Sequence, residues 1–528
     1  MAETAPLLSV CMIVKDEEQN LPRALAGVAD IAGELVVVDT GSNDGTVAVA
    51  AAHGARIVDF PWTDDFSAAR NAGLAVATGR WVMVLDADEE LDATDRAGVL
   101  PLLESTEADA LICPVVSLLG GAGSLDFERS FLLRFWRNHP GHRYTGLMHE
   151  DISPSIYAVS PSARIENAGI RFTHYGYLAA AEAARDKKAR NLALIEAEVA
   201  RNPRSHFYRF NLGVEYQRHN RFDEALAQYR LARPAAGGTP WEPKLTKNLV
   251  YTLLSLGRWD EGEKEIAQGL VRFPDFTDLL YFRGVAEVER KEFARATGTF
   301  SRCAAMGPAP VPPYAGAEEG LGAWKAYYAL GQAHQAAGGL HEAVTAYEQA
   351  QAMRPEWLAP LESTATVLLK AGVDPARVRA YVEERLPRET PERALTIADM
   401  LYQGGAVEAA LAAVPAEAEG GRAAVLRGYC AIKLGRWEEA AAGLAAVAPG
   451  DVHRPAALAG LAFCHWCAGR EAEMQAVLTE LGDDMDGRRR GAALFIDAAR
   501  ETLTRGLARF PDSGPLKTLL ERLGRELP

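Results

Sequence analysis

Cysteine, basic charge and long apolar runs are all scarce in this chain. Its six cysteines, Cys11, Cys113, Cys303, Cys430, Cys464 and Cys467, are scattered over 528 residues. They spell out no disulfide framework, and a reducing, cytoplasmic setting is the expectation. Lysine and arginine number 56 against 71 acidic residues, a formal charge of −15. That balance weighs against nucleic acid or an anionic membrane as the main partner, leaving room only for a local basic patch. The longest N-terminal apolar run, Leu7 to Val14, has no basic flank before it. It is too short for a span, so neither a signal peptide nor a transmembrane segment is expected. Glycine-rich phosphate loops are missing too: there is no G-x-G-x-x-G and no G-x-x-x-x-G-K-[ST]. A pyrophosphate bound here would be neutralised by a metal ion rather than cradled by backbone amides. The length calls for two to four domains.

What is present is organised around Gly79 to Glu90. Trp81 to Leu85 is a continuous apolar run that suits a strand covered on both faces. It ends in Asp86-Ala87-Asp88-Glu89-Glu90. Asp-x-Asp there offers hard oxygen ligands to Mg²⁺ or Mn²⁺, the ions that accompany a diphosphate. The competing reading is an acidic loop that caps the next helix. Upstream, strands are expected at Leu8–Val14, Glu34–Val38 and Ala55–Val58, with helices after the first two and at Phe66–Ala77. Thr40 to Thr46 is a turn whose Ser42, Asn43 and Asp44 can cap the helix Val47–His53. Strands alternating with short helices imply right-handed crossovers and a parallel sheet. Lys15-Asp16, Asp39 and Asp86-Ala87-Asp88 then share one edge, the carboxyl ends of the strands, where such sheets bind ligands. Asp39 is placed to accept hydrogen bonds from a base or ribose; its bland alternative is a helix cap.

Four blocks in order resemble a family 2 glycosyltransferase of the GT-A fold. They are Met12-Ile13-Val14-Lys15-Asp16-Glu17-Glu18, Val36 to Thr46, Asp65-Phe66-Ser67-Ala68-Ala69-Arg70-Asn71, and Leu85-Asp86-Ala87-Asp88-Glu89. The resemblance implies a nucleotide-sugar donor, most often a UDP-sugar, and inversion at the anomeric carbon. It implies Asp39 on the nucleoside, Asp86 on the ribose or metal, and Asp88 on the metal at the diphosphate. Lys15, Glu17, Arg70 and Asn71 would lie beside the donor. A later block, Arg134 to Asn138 and Tyr144 to Asp151, resembles the acceptor-side segment of a soluble branch of that family. Glu150 is the candidate base there, with Asp151 second; the alternative is a surface acidic pair. His149 reads as a structural hydrogen-bonding residue or as a contact to the donor. Thr173-His174-Tyr175-Gly176-Tyr177 is similar to the segment that closes over the diphosphate. His174 would be a third metal ligand, a role that suits Mn²⁺, or a histidine packed among aromatic neighbours.

Beyond Leu178 the strand patterns stop. Leu178–Ala200 reads as a connecting helix broken at Asn202-Pro203. A pattern of Leu-Gly-x-x-Tyr, Ala-x-x-x-aromatic and Ala then resembles tetratricopeptide repeats of 34 residues. One unit shows Leu212-Gly213, Tyr216, Ala225, Tyr229 and Ala232. Others place Gly284, Ala296 and Phe300, then Leu330-Gly331, Ala343 and Tyr347, at the same positions. Small residues let paired helices approach, aromatics fill the gaps, and stacking is obligatory. Gly307–Gly322 reads as an insertion loop. Cys464-His465-Trp466-Cys467 resembles half a zinc site, but it lies on a repeat helix with no second pair beside it, so buried thiols are expected. The expected organisation is an α/β, Rossmann-like GT-A domain with a mostly parallel sheet at 1–178. A connecting helix at 179–203, tetratricopeptide repeats at 204–357 and degenerate helical repeats at 358–528 complete an all-α superhelix. The function expected is a soluble, metal-dependent glycosyltransferase whose array recruits a peptide or protein acceptor. One alternative is an acceptor that is a cell-envelope glycan or lipid-linked intermediate. Others are an array that serves only to form a homodimer, and an inactive repeat scaffold.

Overall fold

The computed structural model describes residues 5–119, 126–175, 181–307, 317–388, 390 and 392–481. Two compact units divide it, Met1–Ala333 and His334–Pro528. The first begins with β1 (Leu8–Val14), α1 (Leu21–Ala26), β2 (Glu34–Asp39), α2 (Thr46–Ala52), β3 (Arg56–Asp59), α3 (Phe66–Leu74) and β4 (Trp81–Val84). These are the seven elements expected, shifted by a residue or so, except that α3 stops at Leu74, short of Ala77. Then come β5 (Glu89–Leu91), α4 (Val99–Ser105), β6 (Ala110–Leu119), β7 (Asp126–Arg137), α5 (Ser153–Val159), β8 (Ile165–Asn167) and β9 (Phe172–His174).

The strands form one sheet in the order β3-β2-β1-β4-β7-β6-β9-β5, with β8 on β6. From β3 to β4 every pairing is parallel. The pairing of β4 with β7 is antiparallel, as is that of β6 with β7. The sheet is therefore mixed. The antiparallel pairing of β6 with β7 needs no crossover helix, and parallel pairing resumes where β8 and β9 join β6, so the sheet is mostly but not wholly parallel. Register fixes the site edge: Val14 lies opposite Asp39, and Asp39 opposite Asp59. Gly79 permits the approach that starts β4, because a Cβ there would stand 2.6 Å from the Ser9 backbone nitrogen. Leu8, Val10, Met12, Trp81, Met83, Phe135 and Phe172 build the core on one face with Leu21 and Leu25 of α1. Burying side chains of this size stabilises by roughly 1.5–3 kcal/mol each, which is why strands this apolar sit in the middle of the sheet.

The helical part begins with α6 (Ala181–Arg201), followed by α7 (His206–Arg218), α8 (Phe222–Ala232), α9 (Glu242–Ser255), α10 (Trp259–Arg272), α11 (Thr277–Glu289), α12 (Phe293–Met306) and α13 (Trp324–Ala336). A Cβ on Gly213 would lie 2.5 Å from Tyr229 Cε1, and one on Gly284 2.6 Å from Phe300 Cε1. The glycine of the first helix is thus the seat of the aromatic ring of the second, as the repeat pattern requires. The second unit runs from α14 (Leu340–Met353) to α22 (Glu471–Leu481) in the described residues. Its helix α21 (Arg454–Cys467) carries Cys464 buried and Cys467 half-buried. Most of the expected insertion Gly307–Gly322, and Gly176 and Tyr177, lie outside the described residues. No helix among the described residues is long and apolar enough to cross a membrane.

Candidate active site

Three loops meet at the carboxyl ends of β1, β2 and β4. The first two are laced together. Asp16, in the left-handed region at φ 53, accepts from the Asn43 amide at 2.7 Å. Its own amide donates to Ser42 Oγ at 3.0 Å. The Glu17 amide donates to Thr46 Oγ1 at 2.7 Å, and the Gly45 amide to Glu18 Oε2 at 3.0 Å. Lys15 is exposed at the mouth of this loop. The Glu17 carboxylate accepts from Asn20 Nδ2 at 2.8 Å, beside the start of α1. Asp39 is buried. Its carboxylate accepts from the amides of Gly41 and Ser42 at 3.1–3.2 Å. The carboxylate thus closes the turn after β2 and has lone pairs left over. Of the expected capping side chains Asp44 serves α2: its Oδ1 accepts from the amide of Thr46, the first residue of the helix, at 3.0 Å, although the N-cap position itself is Gly45.

The centre of the site is an arginine held between two carboxylates. Arg70 on α3 donates from Nε to Glu150 Oε1 at 2.5 Å and from Nη2 to Asp86 Oδ1 at 2.9 Å. Its Nη1 is buried with no hydrogen-bond partner among the described residues. The Tyr144 ring lies 5.6 Å from the guanidinium. Burial alone would raise the Asp86 carboxyl, but Arg70 and then Arg134 outweigh it and hold it down at about 2. The side chains of Arg70, Asp86 and Glu150 are 11%, 35% and 13% exposed, so Asp86 is the one open to solvent.

Beneath this cluster lies a second pair, Glu89 with Arg134 on β7, both buried and in direct contact. Glu89 also accepts from the Asp86 amide at 3.2 Å, which stiffens the turn after β4. Burial pushes Glu89 up to about 7, against the pull of Arg134. Beside Asp86, Asp88 Oδ2 stands 3.4 Å from His174 Nε2 on β9. Burial works to lower the His174 pKa; the hydrogen bond and charge of Asp88 overcome it and raise it. The Tyr175 amide donates to the Asp88 carbonyl at 2.8 Å, and its hydroxyl to Glu90 Oε2 at 3.0 Å.

Asp88 and His174 fit a divalent ion. Two donor atoms 3.4 Å apart can share an ion bound at about 2.0–2.2 Å from each. No group of three His, Cys, Asp or Glu side chains among the described residues is arranged to hold a metal.

Glu150 sits on a loop closed by two backbone bonds of 3.1 Å between Thr145 and Asp151. His149, before it, has φ 54 and a side chain that burial, with Arg218 and Lys244 of the helical region, lowers to about 4. The loop is pinned to α3: Leu147 O accepts from the Phe66 amide at 3.0 Å, and Gly146 O from Ser67 Oγ at 2.6 Å. Asn71 makes a reciprocal pair with the Tyr144 backbone, at 3.0 and 2.9 Å. Its amide is therefore engaged in holding the loop. Asp151 accepts from the Ser153 amide and hydroxyl at 2.8 and 2.6 Å, at the start of α5. Among the sequence candidates, then, Arg70, Asp86 and Glu150 form one cluster and Asp88 with His174 another beside it. Asn71 and Asp151 spend their side chains on local backbone. Sequence reasoning passed over Arg134 as a site residue, although a charge interrupting Phe131-Leu132-Leu133 and Phe135-Trp136 was its signal. It also passed over Glu198 of α6, whose Oε2 accepts from the Leu147 amide at 2.7 Å. Nothing in an Ala- and Glu-rich helix marks that glutamate.

Residues 9–150 match the family model described as glycosyl transferase family 2, and residues 248–309 one described as tetratricopeptide repeat. A TPR repeat-containing protein of Synechococcus elongatus is 37% identical over 257 residues, 48% of this chain and 62% of its own length. The SPbeta prophage-derived glycosyltransferase SunS of Bacillus subtilis is 28% identical over 233 residues, 42% of this chain and 52% of its own. The chain thus spans less than two thirds of either relative. A solved glucosyl-3-phosphoglycerate synthase of Mycobacterium tuberculosis, bound to Mn²⁺, uridine diphosphate and glucosyl-3-phosphoglycerate, is 25% identical; the match covers 21% of this chain and 44% of that one, at TM-score 0.19. A solved tetratricopeptide repeat protein of Parabacteroides merdae is 14% identical and covers 57% of this chain and 94% of its own, at TM-score 0.33. At these TM-scores neither likeness bears on the reaction.

Proposed function

We propose that this chain, a family 2 glycosyltransferase domain followed by tetratricopeptide repeats, transfers a sugar from a nucleotide-sugar, most simply a UDP-sugar, with inversion. The observation that carries the reading is Arg70, which ties Asp86 at the end of β4 to Glu150 on the facing loop. A donor-side carboxylate and an acceptor-side carboxylate joined by one cation define the two faces of a reacting sugar.

In this reading Asp39 and Asp86 receive the nucleoside, and Lys15 and Glu17 flank it. The unpartnered Nη1 of Arg70 is the hydrogen-bond donor left for the diphosphate. Asp88 and His174 would hold Mn²⁺ or Mg²⁺ there. When bound, the ion would neutralise charge on the leaving diphosphate, a contribution of several kcal/mol. Glu150 takes the proton of the acceptor nucleophile as the new bond forms to the anomeric carbon and the bond to the diphosphate oxygen breaks. Arg70 holds Glu150 in place for that step. Asn71 and Asp151 shape the loop rather than meet the substrate. The repeats support a peptide or protein acceptor, because such arrays hold extended segments along a continuous face.

The test is donor hydrolysis across UDP-, GDP- and dTDP-sugars, with Mn²⁺, Mg²⁺ or EDTA. One donor should turn over with metal and stop with EDTA. Asp88→Ala should abolish that turnover while the thermal midpoint stays within a few degrees. No binding of any donor would refute the reading and move the function to the repeats.

A further inference from the structure

We propose that Glu198 is a positioning residue for Glu150, so that the first helix of the helical region is part of the catalytic frame. The proposal rests on the reading of Glu150 as the base. Glu198 is 3% exposed and lies on α6, outside the sheet. Its Oε2 accepts from the Leu147 amide at 2.7 Å, and its Oε1 accepts from Asn202 Nδ2 at 2.5 Å. Leu147 is three residues before Glu150 in the closed loop. The carbonyl of the same peptide, Gly146 O, accepts from Ser67 Oγ of α3, and that of the next peptide, Leu147 O, from the Phe66 amide. The peptide from Gly146 to Leu147 is therefore clamped between α3, which also carries Arg70, and α6. A buried amide left without its acceptor would incur its full desolvation penalty, which is what ties the loop to this side chain.

Two neighbours give the clamp a fixed seat. A Cβ on Gly146, at φ 102, would stand 2.8 Å from Tyr208 Oη of α7, so the loop lies directly under that helix. Arg190 of α6 lies over the Phe66 ring at 5.5 Å. The helical region thus meets the loop from outside while Arg70 meets Glu150 from inside. A contact of this kind sets the distance from base to nucleophile, and a misplacement of about 1 Å in such a distance costs about a hundredfold in rate. It also follows that a sheet domain cut before α6 loses Glu198 and should be impaired whatever the acceptor.

The experiment compares full-length wild type, Glu198→Leu and Glu198→Gln. Hydrogen exchange of the Thr145–Asp151 segment reads the clamp, and UDP-sugar hydrolysis with Mn²⁺ reads the chemistry. Glu198→Leu keeps the volume and removes the acceptor. Exchange in the segment should rise at least tenfold and kcat fall about 10- to 100-fold, with the Kd for Mn²⁺–UDP within threefold. Glu198→Gln keeps an oxygen for the Leu147 amide, and Asn202 can turn its own oxygen toward the new NH₂ group. It should stay within threefold of wild type in every readout. If Glu198→Leu is insoluble, Glu198→Asp, one methylene short of the loop, must give the same rise in exchange. Unchanged exchange, or raised exchange with unchanged kcat, overturns the proposal. Raised exchange in a protein whose wild type turns over no donor defeats the transferase reading, and the positioning role falls with it.

Discussion

Arg70→Met removes a cation from between two carboxylates and keeps most of its packing volume. The guanidinium stands 2.5 Å from Glu150 and 2.9 Å from Asp86. At an effective dielectric of about 20, unit charges at such contact distances attract by about 6 kcal/mol. Desolvation offsets much of that, and breaking one partner of a buried pair costs about 3–5 kcal/mol in practice. A second bound comes from Asp86, whose carboxyl is held at about 2 against an ordinary 3.8. That gap corresponds to about 2.4 kcal/mol, shared with Arg134 and cut to about 1 because Asp86 is partly exposed. The variant should therefore lose about 2–4 kcal/mol at pH 7, read as a lower urea midpoint of intrinsic fluorescence, to which buried Trp81 and Trp136 contribute. The pH dependence should change sign. In wild type the depressed Asp86 contributes stability that is full above pH 3.8 and lost as pH falls through about 2. In Arg70→Met Asp86 keeps Arg134 but loses its nearer cation, and burial, which raises its carboxyl, is no longer outweighed, so it binds a proton more tightly than in the unfolded chain. The gap between variant and wild type should then shrink from pH 7 to pH 5. A loss under about 0.5 kcal/mol, or a gap that is the same at both pH values, would refute this account of the site.

Two further outcomes are expected. The affinity of Mn²⁺ with UDP should weaken as pH falls, since His174 has a raised pKa and must shed its proton to bind an ion. Calorimetry at pH 8 and pH 6 in buffers of different ionisation heat should show proton release that Asp88→Asn diminishes; affinity independent of pH would argue against His174 as a ligand. In the repeats, Gly213→Ala and Gly284→Ala should each cost about 1–3 kcal/mol by driving a methyl into Tyr229 or Phe300. Gly298→Ala, on the same helix as Phe300 but with nothing within 4 Å of its Cβ, should gain up to about 1 kcal/mol. Thermal melts that rank the three alike would show that the glycines are not ring seats.

Much of the architecture was legible in the chain because it rests on local patterns. Apolar runs ending in acidic turns at Val14, Asp39 and Leu85 made the strand ends readable, and glycine–aromatic spacing made the repeats readable. Such signals depend on neighbours within a few residues or one repeat. They fail at the second half of the sheet, where antiparallel β6 and β7 return beside β4 without a crossover. At α2 they offered three capping side chains, and only Asp44 bonds the first helical amide, with Gly45 at the N-cap position.

The sequence by itself determined the class of each half and the edge of the sheet where the polar residues gather. Periodicity and turn chemistry are properties of the chain alone, and they survive any tertiary arrangement. Only the tertiary structure decided which of those residues face one another. Arg70 reaches Glu150 across 80 positions of chain, and Glu198 reaches Leu147 across 51. Neither distance is encoded in spacing, because it depends on how α3, the loop at Glu150 and α6 pack together. The same packing separated Asn71, engaged by Tyr144, from Arg70 beside it, and Asp151, engaged by Ser153, from Glu150. Adjacent residues of like chemistry acquired different tasks because each loop and helix end needs its own backbone groups satisfied before a side chain is left over for anything else.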